Sequence, residues 1–241
     1  MPSKVFLVHL IHRKARSATR SYITNCLTAT PSIRSNPTVE CVNKLQTRIT
    51  KAVYQRQWHL VKRLQYLLTN SFYAKLLAIR KITQNKGHRT AGVDGEKWIT
   101  PKAKMKAVLK LSSKKYKAKP LRRVYIEKYG KKEKRPLSIP TMRDRAMQAL
   151  HAFALNPVAE ATADKVSFGF RKNRRTHDAC SQAFTCLSTR YSAHWVLEGD
   201  IKGCFDNINH EWLLDNIPMP RQEVISQIAQ RLLPPFGVIL M

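Results

Sequence analysis

Gly199-Asp200-Ile201-Lys202-Gly203-Cys204-Phe205-Asp206-Asn207-Ile208-Asn209-His210 is the stretch around which this chain is organised. Immediately before it, Trp195-Val196-Leu197 is short and apolar, the pattern of a buried strand. Asp200 therefore falls where a strand leaves a core, a position from which a carboxylate can hold a metal ion. Behind it, Asn209 suits a helix N-cap, with Glu211 in the first turn and Trp212, Leu213 and Leu214 to follow. The expected order is strand, carboxylate, aromatic, helix.

The composition narrows the partners. The 241 residues include 44 Lys and Arg against 15 Asp and Glu, a formal net charge of +29. Such an excess calls for a polyanion, and nucleic acid is the natural one, because each neutralised phosphate releases counterions. A merely basic, ribosomal-type protein would share the composition. At 43% apolar residues the chain can bury a real core. No apolar run is long enough for a bilayer, so no membrane partner is expected. The five cysteines show no Cys-x-x-Cys spacing and read as reduced thiols, and the eight histidines form no metal signature.

Taken in order, residues 1–40 read as a basic, disordered leader: an arm that touches RNA or translated upstream sequence without a role, or alternatively an organellar transit peptide. Val42, Leu45, Ile49 and Val53, then Leu60, Val61, Leu64, Leu67 and Leu68, recur at helical spacing. A further helix from Ser71 carries Phe72, Leu76, Leu77 and Ile79 and stops at Gly87. The turn from Lys86 to Trp98 is glycine-rich but has no Gly-Lys-Ser/Thr, so it is a connector whose amides can form a nest for phosphate. Trp98 reads as a core anchor. Thr100 and Pro101 make a cap and first position for a helix to Leu111.

Residues 101–135 hold fifteen Lys or Arg against Glu127 and Glu133. Within them, residues 121–126 alternate as a strand and residues 135–140 return it, giving a basic hairpin with Arg122 and Val124 on one face. A helix from Thr141 to about Glu160 turns Met147, Leu150, Phe153 and Leu155 inward, with Pro157 disturbing its end. Asp144 and Arg145, at its start, read as structural. Val166-Ser167-Phe168 suggests a short strand running into a basic loop, and Thr176 a cap for a helix through Leu187.

On these residues the chain resembles the reverse transcriptases encoded by group II introns. Asp200, Phe205 and Asp206-Asn207-Ile208-Asn209-His210 resemble the family's first catalytic block. Thr90-Ala91-Gly92-Val93-Asp94-Gly95 resembles its N-terminal extension block, a loop over template and primer. Ile126-Glu127-Lys128 with Arg135-Pro136-Leu137-Ser138-Ile139-Pro140-Thr141 and Asp144-Arg145-Ala146-Met147-Gln148 resembles its first fingers block, and Ser167-Phe168-Gly169-Phe170-Arg171 its second. The resemblance implies that Asp200 is a Mg²⁺ ligand and catalytic, and that Phe205 lies beneath the incoming sugar. It implies that Lys128, Arg135 and Arg122 grip the triphosphate of a deoxynucleotide, that Phe170 packs, and that Arg171 faces template or nucleotide. Arg123, Lys131, Lys132, Arg174 and Arg175 join the nucleic-acid surface.

Two departures qualify this. The family completes its two-metal site from a Tyr-x-Asp-Asp hairpin, and no Asp-Asp pair occurs in this sequence. Residues 220–241 do not match the family's palm, which suggests a frameshift or truncation near residue 219. The expected fold is α+β: a leader (1–40), a helical N-terminal extension (41–115), and the fingers and first palm strand of a right-hand polymerase (116–219). The expected function is that of a group II intron reverse transcriptase and maturase, binding intron RNA and template/primer but not polymerising as this piece. The alternatives are a non-enzymatic splicing cofactor or a decayed gene product. A bacterial cytoplasm is the expected location, with chloroplast or mitochondrion as the alternative, and a homodimer is one open assembly.

Overall fold

The computed structural model describes residues 37–113, 116–127, 130, 134–201 and 207–219, the side chain of Arg135 excepted. The leader up to Asn36 and residues 220–241 lie outside this set, as do Lys128, Lys131, Lys132 and Phe205. Among the described residues the fold is mainly helical, with one two-stranded sheet.

Three consecutive helices come first: α1 (Pro37–Tyr54), α2 (Trp58–Asn70) and α3 (Phe72–Gln84). Their apolar residues recur every three or four positions, so each helix has one face to bury. Val42, Ile49 and Val53 of α1, Val61, Leu64 and Leu68 of α2, and Leu76, Ile79 and Ile82 of α3 are buried together. Leu60 and Leu67, expected inside, lie off that stripe and are exposed. Arg56 adopts a left-handed conformation (φ 56°) that turns the chain between α1 and α2. Helix α3 ends at Gln84 rather than at Gly87, because residues 86–89 wind into a single 3₁₀ turn.

The short helix α4 (Pro101–Lys110) starts as its sequence dictates. Thr100 Oγ1 accepts from the Ala103 amide at 3.2 Å and Pro101 fills the position where no amide donor is needed. Next come β1 (Arg122–Glu127) and β2 (Lys134–Ile139), antiparallel, with Val124 opposite Leu137 and Tyr125 opposite Pro136. A two-stranded ribbon has only edges, so Pro136, which has no amide to donate, is tolerated there.

Helix α5 (Met142–Thr162) is the element on which the first three helices converge. Its buried residues, Met142, Ala146, Met147, Leu150, Ala154 and Val158, form one stripe against α1, α2 and α3. Leu155 points elsewhere, toward a small second cluster with Leu213, Leu214, Ile217 and Met219. Pro157 does not end the helix, which runs on to Thr162. Proline has no N–H for the carbonyl four residues back, that of Phe153, and its ring crowds that oxygen. Gln46 of α1 supplies the missing donor, its Nε2 lying 2.8 Å from Phe153 O. Gln65 of α2 adds a bond to the next carbonyl, Ala154 O, at 3.3 Å.

Beyond α5, helix α6 (Thr176–Leu187) has no buried residue, and α7 (His210–Asn216) closes the described chain. Two expected strands are not formed. Residues 166–168 lie in a turn, because the Arg171 guanidinium holds the Asp164 and Ser167 carbonyls (3.0 Å to the latter) and bends the backbone around itself. Residues 195–197 are not a buried strand either: Trp195 is 93% and Leu197 97% exposed. A strand needs a neighbour to satisfy its backbone groups, and among the described residues none lies beside this one.

Candidate nucleic-acid interface

The glycine-rich connector is held against the start of α5 by residues that local chemistry brings together. Thr141 caps α5 through its Oγ1, 3.2 Å from the Asp144 amide, and donates to Asp144 Oδ2 at 2.6 Å. The Tyr116 hydroxyl donates to the other oxygen, Oδ1, so the buried carboxylate is fully engaged. Arg145 faces the connector. Its Nε donates to Pro140 O at 3.0 Å and its two terminal nitrogens to Gly87 O at 2.7 Å and Thr90 O at 2.8 Å. Burial lowers the Arg145 pKa while the nearby Asp94 raises it, and guanidinium remains charged throughout the working range.

Gly92 explains how close the connector sits. A Cβ there would lie 2.6 Å from Thr141 Cα and 2.8 Å from its nitrogen, both backbone atoms. Beyond it, Asp94 Oδ1 accepts from the Glu96 amide at 3.2 Å and Asp94 Oδ2 pairs with Lys119 at 3.4 Å. Part of the amide nest expected here is therefore spent within the loop. Trp98 is the expected anchor: it is buried, and its indole N–H donates to Glu96 at 2.8 Å.

The basic hairpin stands beside this connector. Arg122 reaches back to Ala91 O at 3.5 Å, which links β1 to the glycine loop. Arg122, Arg123 and Lys134 are exposed. Lys128, Lys131 and Lys132, in the turn between the strands, lie outside the described residues, and the Arg135 side chain is likewise not described.

Arg171 is engaged within its own loop. Besides the two loop carbonyls, its guanidinium binds Glu160, with Nε 3.2 Å from Oε2 and a terminal nitrogen 2.7 Å from Oε1. Glu160 is exposed, and its pKa is lowered, chiefly by the hydrogen bond from Arg171. Arg174 adds a contact to Glu160 at 3.3 Å. Arg171, expected to face template or nucleotide, here forms a clamp that shapes residues 164–174. Arg175 holds the N-terminal turn of α6, where its amide donates to Asp178 at 2.8 Å; Thr176 is the first helical residue rather than the cap. Phe170, expected to pack, is fully exposed at φ 57°.

Asp200 is exposed, and its Oδ1 accepts from the Ile201 amide at 2.9 Å. A two-Mg²⁺ centre requires several converging carboxylates, since Mg²⁺ takes octahedral oxygen ligands. Among the described residues, no group of three or more His, Cys, Asp or Glu side chains is placed to hold a metal ion. The described donors do not make up such a centre. Nor is any described helix long and apolar enough to cross a membrane.

Sequence reasoning missed Gln46, whose partner Phe153 is 107 residues away. The signal was Pro157, since a proline inside a helix implies an outside donor. It also missed a groove of about 680 Å³ between α1, the end of α5 and the loop at 170–174. Asn43, Gln46, Thr47 and Thr50 line it from one face of α1.

Comparison with known proteins bears on this arrangement. Residues 32–111 match the family model described as the N-terminal domain of reverse transcriptase, and residues 126–233 match that of reverse transcriptase (RNA-dependent DNA polymerase). Over 172 residues the chain is 34% identical to the group II intron-encoded protein LtrA of Lactococcus lactis, an alignment covering 70% of the chain and 28% of LtrA. It is 37% identical over 146 residues to protein YkfC of Escherichia coli, covering 57% of the chain and 38% of YkfC. A 91 kDa protein in the cob intron of Schizosaccharomyces pombe is 32% identical over 151 residues, covering 62% and 18%. The chain therefore spans well under half the length of these relatives.

Proposed function

The chain belongs to the group II intron reverse transcriptases and maturases, and from that premise we propose that this stretch binds intron RNA and does not polymerise by itself. The observation that carries the reading is the exposed basic hairpin, Arg122, Arg123 and Lys134, standing beside a glycine loop that Arg145 and Gly92 hold in place. With 44 basic residues against 15 acidic ones, the chain carries a formal net charge of +29. Guanidinium and ammonium groups so placed offset phosphate charge and fix the register of a nucleic-acid backbone.

In the intact family the same region would be the fingers and palm edge of a right-hand polymerase. Lys128, Arg135 and Arg122 would then hold a deoxynucleoside triphosphate, Phe205 would support its sugar, and Asp200 would be one ligand of Mg²⁺. Several carboxylates have to converge for that chemistry, and Asp200 brings one. Splicing assistance, copying of intron RNA into DNA and a bacterial cytoplasmic location are further parts of the proposal, drawn from the family and not from this stretch.

The test is filter binding of the purified chain to a group II intron RNA and to unrelated RNA across a salt series. Each lost phosphate contact flattens the log–log salt slope by about 0.7 to 0.9. The triple change of Arg122, Arg123 and Lys134 to Gln is expected to flatten it by about two. An unchanged slope, or Mg²⁺-dependent primer extension abolished by Asp200→Ala, would overturn the reading.

A further inference from the structure

The groove beside α1 sets an uncharged helix face opposite the charged side chains of Glu160, Arg171, Lys172 and Arg174. Asn43, Gln46, Thr47 and Thr50 recur at the three- and four-residue spacing of one helix face, and Asn156 and Asn173 join them from the other side. An uncharged stripe of amides and hydroxyls is unusual on so basic a chain. Gln46 Nε2 is spent on Phe153 O and Thr50 Oγ1 on Gln46 O. Asn43, Thr47 and Asn156 make no side-chain hydrogen bond among the described residues. Amide side chains of this kind pair with the edges of nucleobases, which also carry both donors and acceptors.

Two further features flank the stripe. Phe170 lines the groove with its ring wholly in solvent, although a bulky residue rarely takes φ 57°. Asn173, at φ 59°, turns the loop again three residues on. The bends are held by the Arg171 clamp on Glu160, Asp164 and Ser167, so the backbone presents Phe170 outward instead of folding it into the core. Lys172, which lines the groove, places its Nζ 5.8 Å from the centre of the Phe153 ring, and Lys81 Nζ lies 5.7 Å from the same ring. Two ammonium groups thus converge on one ring. Burial, and then the charge of Lys81, lower the Lys172 pKa.

We propose that this groove receives one unpaired nucleotide of an RNA strand, its base stacked on Phe170 and read by Asn43 and Asn156, its phosphate held by Lys172. The site rests on the RNA-binding reading above and names a place and a ligand class for it. A duplex cannot use it, because paired bases offer no free face to Phe170.

The test is fluorescence anisotropy of the full chain with a short labelled single-stranded RNA and with the same sequence as a duplex. Phe170→Leu is expected to weaken single-strand binding about tenfold, the scale of one lost base stack, and to leave duplex binding unchanged. Phe170→Tyr, which keeps the ring, is expected to bind like the parent. Lys172→Gln is expected to weaken single-strand binding and flatten its salt slope by about 0.7. Because Phe170 is fully exposed, its variants should melt with the parent, which a circular dichroism scan checks. If Phe170→Leu binds the single strand as tightly as the parent, or loses both ligands equally, the groove proposal falls and the hairpin reading stands. If the parent binds neither RNA, both fall together.

Discussion

Replacing Gln46 by Leu is expected to destabilise the fold by about 1–3 kcal/mol, the cost of leaving a partly buried carbonyl without its donor. The carbonyl is Phe153 O, which Pro157 deprives of its helical partner and which Gln46 Nε2 serves at 2.8 Å. The cause lies in the proline, so the penalty should depend on it. In a Pro157→Ala background the alanine amide returns the ordinary bond to Phe153 O, and Gln46→Leu should then cost no more than about 0.5 kcal/mol. Urea unfolding of the parent, both single variants and the double variant closes this cycle, and the expected coupling between the sites is about 1–2 kcal/mol. Additive effects, with Gln46→Leu equally costly in both backgrounds, would refute the account of how α5 continues past its proline.

Acidification tests the core. His151 is buried, and burial lowers its pKa from 6.5 to about 4. Between those values the unfolded chain takes up a proton that the folded chain refuses, so stability falls as pH drops from 7; at about pH 4.5 the loss is about 2–3 kcal/mol. His151→Leu should remove that part of the pH dependence, and a variant with the parent's acid profile would contradict it. Gly92→Ala, whose new Cβ would meet the Thr141 backbone at 2.6 Å, should lower the urea midpoint by an amount worth about 1–3 kcal/mol; an unchanged midpoint would show that the connector does not press on α5. Arg145→Lys keeps the charge but not the fork that reaches three carbonyls. Amide hydrogen exchange across residues 87–95 should accelerate, and parental protection there would rule out the clasp.

The parts of the fold that were legible in the sequence are those decided locally. Thr100-Pro101 and Thr141 start helices because a hydroxyl and the first free amides are three residues apart, whatever else the chain does. The helical stripes of α1 to α3 and the alternation at residues 122–127 carry their own period. Trp195-Val196-Leu197 failed for the opposite reason: strand character is completed by a partner, and no run of residues contains its own partner. Phe170 misled because an aromatic beside a glycine suggests packing, whereas the Arg171 clamp that turns it outward involves Glu160, eleven residues away. The contacts of Arg171 and Gln46 join residues far apart in the chain, which neither spacing nor the family resemblance encodes.

The convergence of α1, α2 and α3 on α5 has a consequence for the order in which the protein is made. Residues 37–84 leave the ribosome well before α5, and the stripe of α5 that completes their core ends at Val158, more than seventy residues behind Gln84. Through much of that interval Ile49, Leu64, Leu68, Leu76 and Ile79 have only one another and the later Trp98, Val108 and Leu111 to shield them, on a nascent chain already tethered beside ribosomal RNA and itself strongly basic. Pauses in translation before α5 emerges should therefore be the moments at which this chain most needs a chaperone, and synonymous codons between residues 85 and 141 the places where its yield is most easily changed.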